Sequence, residues 1–114
     1  MPTKTWFATQ IYDAQLQTVA KKREQTKFNR DLLTQCYQLR SIDEAGIDWS
    51  QKNYIGGYTS YASANDLHLR FSDFSHLEKL IRRHVQNYIN SLEFDIPKND
   101  LTMSTCWVNI MPKY

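Results

Sequence analysis

The chain has 114 residues, 41% of them hydrophobic and 23% charged, a balance typical of soluble globular sequences rather than of disordered, fibrous or membrane-embedded ones. A formal net charge of +2 is too small to nominate nucleic acid as a partner, and the basic clusters Lys21-Lys22-Arg23 and Arg82-Arg83 fall in helical stretches where charge forms the solvated face. One domain, or part of one, fits this length, and a compact chain of such size hides roughly two-thirds of its unfolded surface.

Met1 to Gln10 carries one positive charge but no continuous apolar run of signal-peptide type. No span approaches the ~20 apolar residues of a membrane helix. The expectation is a cytoplasmic protein without membrane contact. Cys36 and Cys106 lie far apart inside apolar-periodic segments, the pattern of reduced, buried thiols rather than of a disulfide scaffold or a thiolate metal site.

Thr5 to Ala14, with Trp6, Phe7, Ile11 and Tyr12, reads as a first strand. Between Asp13 and Thr26, Leu16, Val19 and Ala20 support at most a short amphipathic helix. Asn29 can cap a clearer helix, in which Leu32, Leu33, Cys36, Leu39 and Ile42 recur at three- and four-residue spacing until Gly46 ends the run. Asp48 to Ile55 reads as a loop, Gly56-Gly57 as a tight turn and Tyr58-Thr59-Ser60-Tyr61 as a strand. No lysine-serine pattern follows the glycine pair, so it is no phosphate loop.

The strongest element is a helix from Ser75 to Leu92, with Leu77, Leu80, Ile81, His84, Val85, Tyr88, Ile89 and Leu92 on one stripe and Arg82 on the opposite face. Ser75 and Glu78 have capping-box spacing, with Asp73 a competing start. After a polar linker from Glu93 to Asp100 that contains Pro97, Leu101 to Met111 alternates as a strand. Trp107, Asn109 and Met111 share one face of it, and Cys106, Val108 and Ile110 the other. The strand is uncharged and runs almost to Tyr114 with nothing after it to cover its edge, so the sequence reads as stopping within a fold.

The residues offer no self-contained active site. His76 and His84 lie about 12 Å apart along one helix, too far to share a metal whose bonds are about 2 Å. His68, in Asp66-Leu67-His68, has no second histidine after His84 to complete a facial triad. No serine sits in a nucleophile elbow, neither cysteine has an electropositive neighbourhood, and His84 reads as a core-edge residue. Asp43-Glu44 reads as a solvated pair at a helix end. Asn109, between apolar neighbours in an inner strand, must find partners for a buried amide, either structural or on a ligand.

Several pieces taken together resemble a known family. Asp43-Glu44-Ala45-Gly46, Trp49-Ser50, Asn53-Tyr54-Ile55-Gly56-Gly57-Tyr58-Thr59-Ser60-Tyr61-Ala62-Ser63, Asp66-Leu67 and Trp107-Val108-Asn109 before Pro112 are similar in order and spacing to the N-terminal half of the 2-oxoglutarate/iron(II)-dependent oxygenases. The resemblance implies a double-stranded β-helix, or jelly roll, flanked by helices. In that family iron(II) is held by a His-x-Asp/Glu pair and a distal histidine, and an arginine pairs with the remote carboxylate of 2-oxoglutarate. Those ligands follow the Trp-Val-Asn strand, so this chain ends before them, and only Trp107 and Asn109 are carried over, as a co-substrate pocket wall in a complete protein.

The expected fold is therefore α+β: residues 1–114 as a single N-terminal segment, with helices packed on an antiparallel sheet as an incomplete jelly-roll oxygenase domain. The chain itself is expected to hold no metal or cofactor and to be inactive alone, with iron(II) and 2-oxoglutarate belonging to a complete family member. Its expected partner is a missing C-terminal segment or a second copy through Leu101–Met111. The rival reading is a self-contained small α+β binding or interaction module without catalysis.

Overall fold

The computed structural model describes residues 9–17, 22–92 and 101–113. These residues form four helices, α1 (Lys22–Ile42), α2 (Glu44–Asn53), α3 (Leu67–Arg70) and α4 (Ser72–Ser91), and two short strands, β1 (Tyr58–Thr59) and β2 (Asn109–Ile110). The strands pair antiparallel, Tyr58 opposite Ile110 and Thr59 opposite Asn109, so the α+β class holds. Among the described residues, no helix is long and apolar enough to cross a membrane.

The core is small and built from distant parts of the chain. Leu39, Tyr58, Ala64, Leu67, Phe74 and Val108 form it, with Leu32, Cys36, Ile47, Leu77 and Cys106 packed around them. Residues 106 to 110 lace these parts together by edge-on backbone bonding. Cys106 N–H donates to Asn65 O at 2.8 Å, and Cys106 O accepts from Leu67 N–H at 3.2 Å. Val108 O accepts from Ser60 N–H at 2.9 Å. The predicted alternation holds here: Cys106, Val108 and Ile110 turn inward, and Trp107, Asn109 and Met111 outward. The continuous ladder, however, covers only Asn109–Ile110, because the facing chain turns away at Tyr61–Ser63 and returns to bond only around Cys106.

Other expectations are corrected. Thr9 to Ala14 forms no strand and pairs with none among the described residues, since a β-prone run forms no strand without a neighbour to share its backbone bonds; the earlier part of that expected strand lies outside the described residues. Leu16 and Gln17 form a bend, and Val19 and Ala20 also lie outside the described residues. Helix α1 starts at Lys22 rather than Asn29, and buries Phe28 and Leu39 while Leu33 and Ile42 stay exposed. Gly46 does not end it. The expected loop from Asp48 to Ile55 is instead mostly α2, a helix whose buried residues are Gly46 and Ser50.

Helix α4 starts at Ser72, three residues before the expected capping box. Ser75 N–H already donates to Phe71 O within the first turn, so Ser75 is not a cap. Glu78 turns instead to Arg82, whose Nε and Nη2 donate to its Oε1 at 2.9 and 2.6 Å. Glu78 is buried, so Arg82 is not the idle surface residue its position on the helical wheel suggested. Arg82→Ala is expected to destabilise the chain by about 1–2 kcal/mol, because it strips a buried carboxylate of its charged donors while the exposed guanidinium limits the loss. Ile81→Ala should cost on the order of 1–3 kcal/mol from lost burial. Denaturant titration checks both, and a silent Arg82→Ala would show that Glu78 is satisfied without it.

Candidate functional site

Asp43, Gly46, Tyr58 and Ser63 form one hydrogen-bonded cluster centred on the Asp43 carboxylate. Asp43 joins α1 to α2: its N–H donates to Leu39 O at 2.9 Å, and its Oδ1 caps α2 by accepting from Gly46 N–H at 3.1 Å. Its other oxygen, Oδ2, accepts from the Tyr58 hydroxyl at 2.6 Å and the Ser63 hydroxyl at 2.5 Å. A side chain at Gly46 would strike the Asp43 carboxylate and Ser63 Oγ. Glycine stands there to let a carboxylate approach the helix, not to break one.

Two further serines extend the cluster to the sheet. The Ser50 hydroxyl, buried on α2, accepts from Thr59 N–H at 3.0 Å and so ties α2 to β1. The Ser60 hydroxyl, fully buried, accepts from Val108 N–H at 3.0 Å in place of a ladder carbonyl. The Ser60 carbonyl is thereby freed to accept from Ser63 and Ala64 N–H and turn the chain. Gly56, at φ +82°, makes the turn that leads into β1.

Burial pushes the Asp43 carboxyl up, but the Ser63, Tyr58 and Gly46 hydrogen bonds and the Arg70 charge outweigh it, so the group sits below the usual carboxylate range. Burial pushes the Tyr58 hydroxyl up, and the hydrogen bond and charge of Asp43 push it further, with a smaller push from Cys36. Tyr58 therefore keeps its proton. The Ser63 hydroxyl donates its hydrogen bond to the Asp43 carboxylate, as Tyr58 does, so the cluster ties the α1–α2 junction to β1 and the turn after it. Burial likewise raises both Cys36 and Cys106. Both are free thiols.

The two expected pocket-wall residues lie on the outer face of the segment from Cys106 to Met111, Asn109 within β2 and Trp107 just before it. Trp107 is 41% exposed and meets the Tyr61 ring edge to face, with centroids 4.9 Å apart. Asn109 is exposed rather than buried, because the face it shares with Trp107 looks outward; it needs no buried partner. Asp43, expected on a solvated face, is the residue the sequence reading missed. Its signal was an acid three residues before a backbone N–H in a new helix, obscured because Gly46 was taken for the end of the old one.

The described residues do not fit an iron(II) centre. His68 is buried with Nε2 2.9 Å from Met103 O, His76 packs edge-on against the Phe28 ring, and His84 bonds Tyr12 and Leu16. No three histidine, cysteine or carboxylate side chains among the described residues are grouped to hold a metal. Comparison with protein-family models returns no match, and comparison with curated proteins returns no significant one.

Proposed function

We propose that this chain is the N-terminal scaffold of a 2-oxoglutarate/iron(II)-dependent oxygenase domain, supplying helices, part of an incomplete jelly-roll sheet and one strand of a pocket wall. The observation that carries this reading is the convergence of the resembling pieces. Tyr58-Thr59 pairs with Asn109-Ile110 across fifty residues of chain, Ser50 and the Asp43–Gly46 cap tie Thr59 and Tyr58 to α2, and Ser60 holds Val108. A resemblance spread over separate motifs is better explained when those motifs build one structural unit than when they lie apart.

In this reading Trp107 and Asn109 face the co-substrate side. The alternation of an antiparallel ladder turns the Asn109 backbone N–H and C=O away from β1, toward an edge that another strand can extend. The remainder of such a domain, or a second copy through Leu101–Met111, is the partner that this edge suits. The rival reading, a non-catalytic interaction module, draws on the fact that the Asp43 cluster closes entirely within this chain.

The chain alone is expected to bind no stoichiometric iron(II) and to yield no succinate from 2-oxoglutarate. The decisive experiment is expression of the reading frame extended past Tyr114. A following His-x-Asp with a later histidine and arginine, together with succinate production that Trp107→Ala or Asn109→Ala impairs through KM for 2-oxoglutarate, is the expected result. An extended protein without those ligands would leave the interaction module standing instead.

A further inference from the structure

Residues 10 to 17 lie across one face of α4, and the manner of their attachment is that of a bound peptide. No backbone–backbone hydrogen bond ties residues 9 to 17 to the other described residues, and residues 9 to 15 are exposed, Ile11 at 84%. The segment is held by side chains reaching to its main-chain carbonyls, from α4 and, at its far end, from α1, where Gln25 Nε2 donates to Gln17 O at 2.8 Å. The Tyr88 hydroxyl donates to Gln10 O at 2.9 Å, and His84 Nε2 and Arg83 Nη2 lie 3.0 and 3.3 Å from Leu16 O.

Only one side chain of the segment answers specifically. A carbonyl can only accept, so His84 Nε2 donates to Leu16 O, and Nδ1 lies 2.8 Å from the Tyr12 hydroxyl, which can either donate or accept there. The Tyr12 ring also lies 5.7 Å, centroid to centroid, from both the His84 and the Tyr88 rings. Tyr12, Asp13, Ala14 and Leu16 of the segment, with Ile81, His84, Val85 and Tyr88 of α4, line a cavity of about 420 Å³. Main-chain hydrogen bonds that accept almost any sequence, plus one side-chain pocket that selects, are the logic by which proteins bind extended peptides.

We propose that this face of α4 is a binding groove for an extended, tyrosine-bearing peptide segment of a partner protein, and that residues 10–17 occupy it in cis as a displaceable plug. The ligand's chemistry is read from the plug: a tyrosine for the His84–Tyr88 pocket, with unencumbered backbone carbonyls two residues before it and four after. The plug competes at a high effective concentration because it is tethered, so an outside peptide gains the groove only when the plug is weakened or the partner is itself held nearby.

The test uses the full chain and a fluorescent peptide with the sequence of residues 9 to 17, followed by anisotropy. Tyr12→Ala, which touches no core residue, should bind the peptide at least tenfold more tightly than the unaltered chain. Tyr12→Phe should fall between them. Replacing the peptide's own tyrosine by alanine, or introducing His84→Ala into the Tyr12→Ala chain, should weaken binding at least tenfold. Circular dichroism establishes that each variant is folded. A folded Tyr12→Ala chain that ignores the peptide, or binds tyrosine and alanine peptides alike, overturns the proposal. So does an unaltered chain that dimerises with concentration and loses that dimer on Tyr12→Ala, since the occupant is then the plug of a second copy.

Discussion

Val108→Lys is expected to leave the chain unfolded, whereas Met111→Lys, three positions along the same segment, leaves it folded. Val108 is 6% exposed and packs with Leu39, Tyr58, Leu67 and Phe74. Its N–H and C=O are both held by Ser60. A lysine there forfeits roughly 1.5–3 kcal/mol of apolar burial and places an ammonium where desolvation costs several kcal/mol more. The sum rivals the whole stability of a typical small domain, about 5–15 kcal/mol. Met111, at 79% exposure, gives up almost nothing when replaced. Thermal melts by circular dichroism separate the two, and a cooperative melt for Val108→Lys would place that side chain outside the core. Sedimentation of Met111→Lys adds a second reading: a charge beside the open edge of β2 should reduce any self-association through that edge.

That contrast between neighbouring positions was legible in the sequence because alternation is a local property: the inward and outward residues from Cys106 to Met111 follow from a period of two, however few of them join a ladder. Helix α4 was legible for the same reason at a period of 3.6: of its expected stripe Ile89 is buried and Leu77, Leu80 and Ile81 are half-buried, while Val85 is exposed and the buried Phe74 lies ahead of the expected start. Helix α2 was not, because its inward residues are Gly46, Ile47 and Ser50, small or polar for the most part, and a helix that buries a serine against a strand has no apolar stripe to detect. The expected N-terminal strand erred in the opposite direction, since β-branched and aromatic residues describe what suits a sheet, not whether a neighbour is present. The Asp43 cluster depends on partners fifteen and twenty residues away, a pairing that no local pattern encodes.

Asp43 should be the most consequential polar residue of the chain, and the acid limb of its stability should report it. Asp43→Ala removes the cap of α2, worth about 0.5–2 kcal/mol, and strands the hydroxyl of buried Tyr58, a further loss of about 1–3 kcal/mol. Because these losses share one carboxylate they should not add simply, and Asp43→Ala combined with Tyr58→Phe should cost less than the two single changes summed, the phenylalanine leaving no hydroxyl to strand. The direction with pH follows from the depressed carboxyl. Between the ordinary aspartate pKa of about 3.9 and the lower folded value, the unfolded chain binds a proton that the folded chain does not. Stability from Asp43 is therefore fully present above that ordinary value and is lost as pH falls through the folded one. Asp43→Asn cannot titrate, so it should lower stability at neutral pH and flatten the decline in acid. Denaturant midpoints measured from pH 7 down to pH 2 test this, and parallel curves for Asp43→Asn and the unaltered chain would mean that the carboxylate's charge contributes nothing to holding α2 on the sheet.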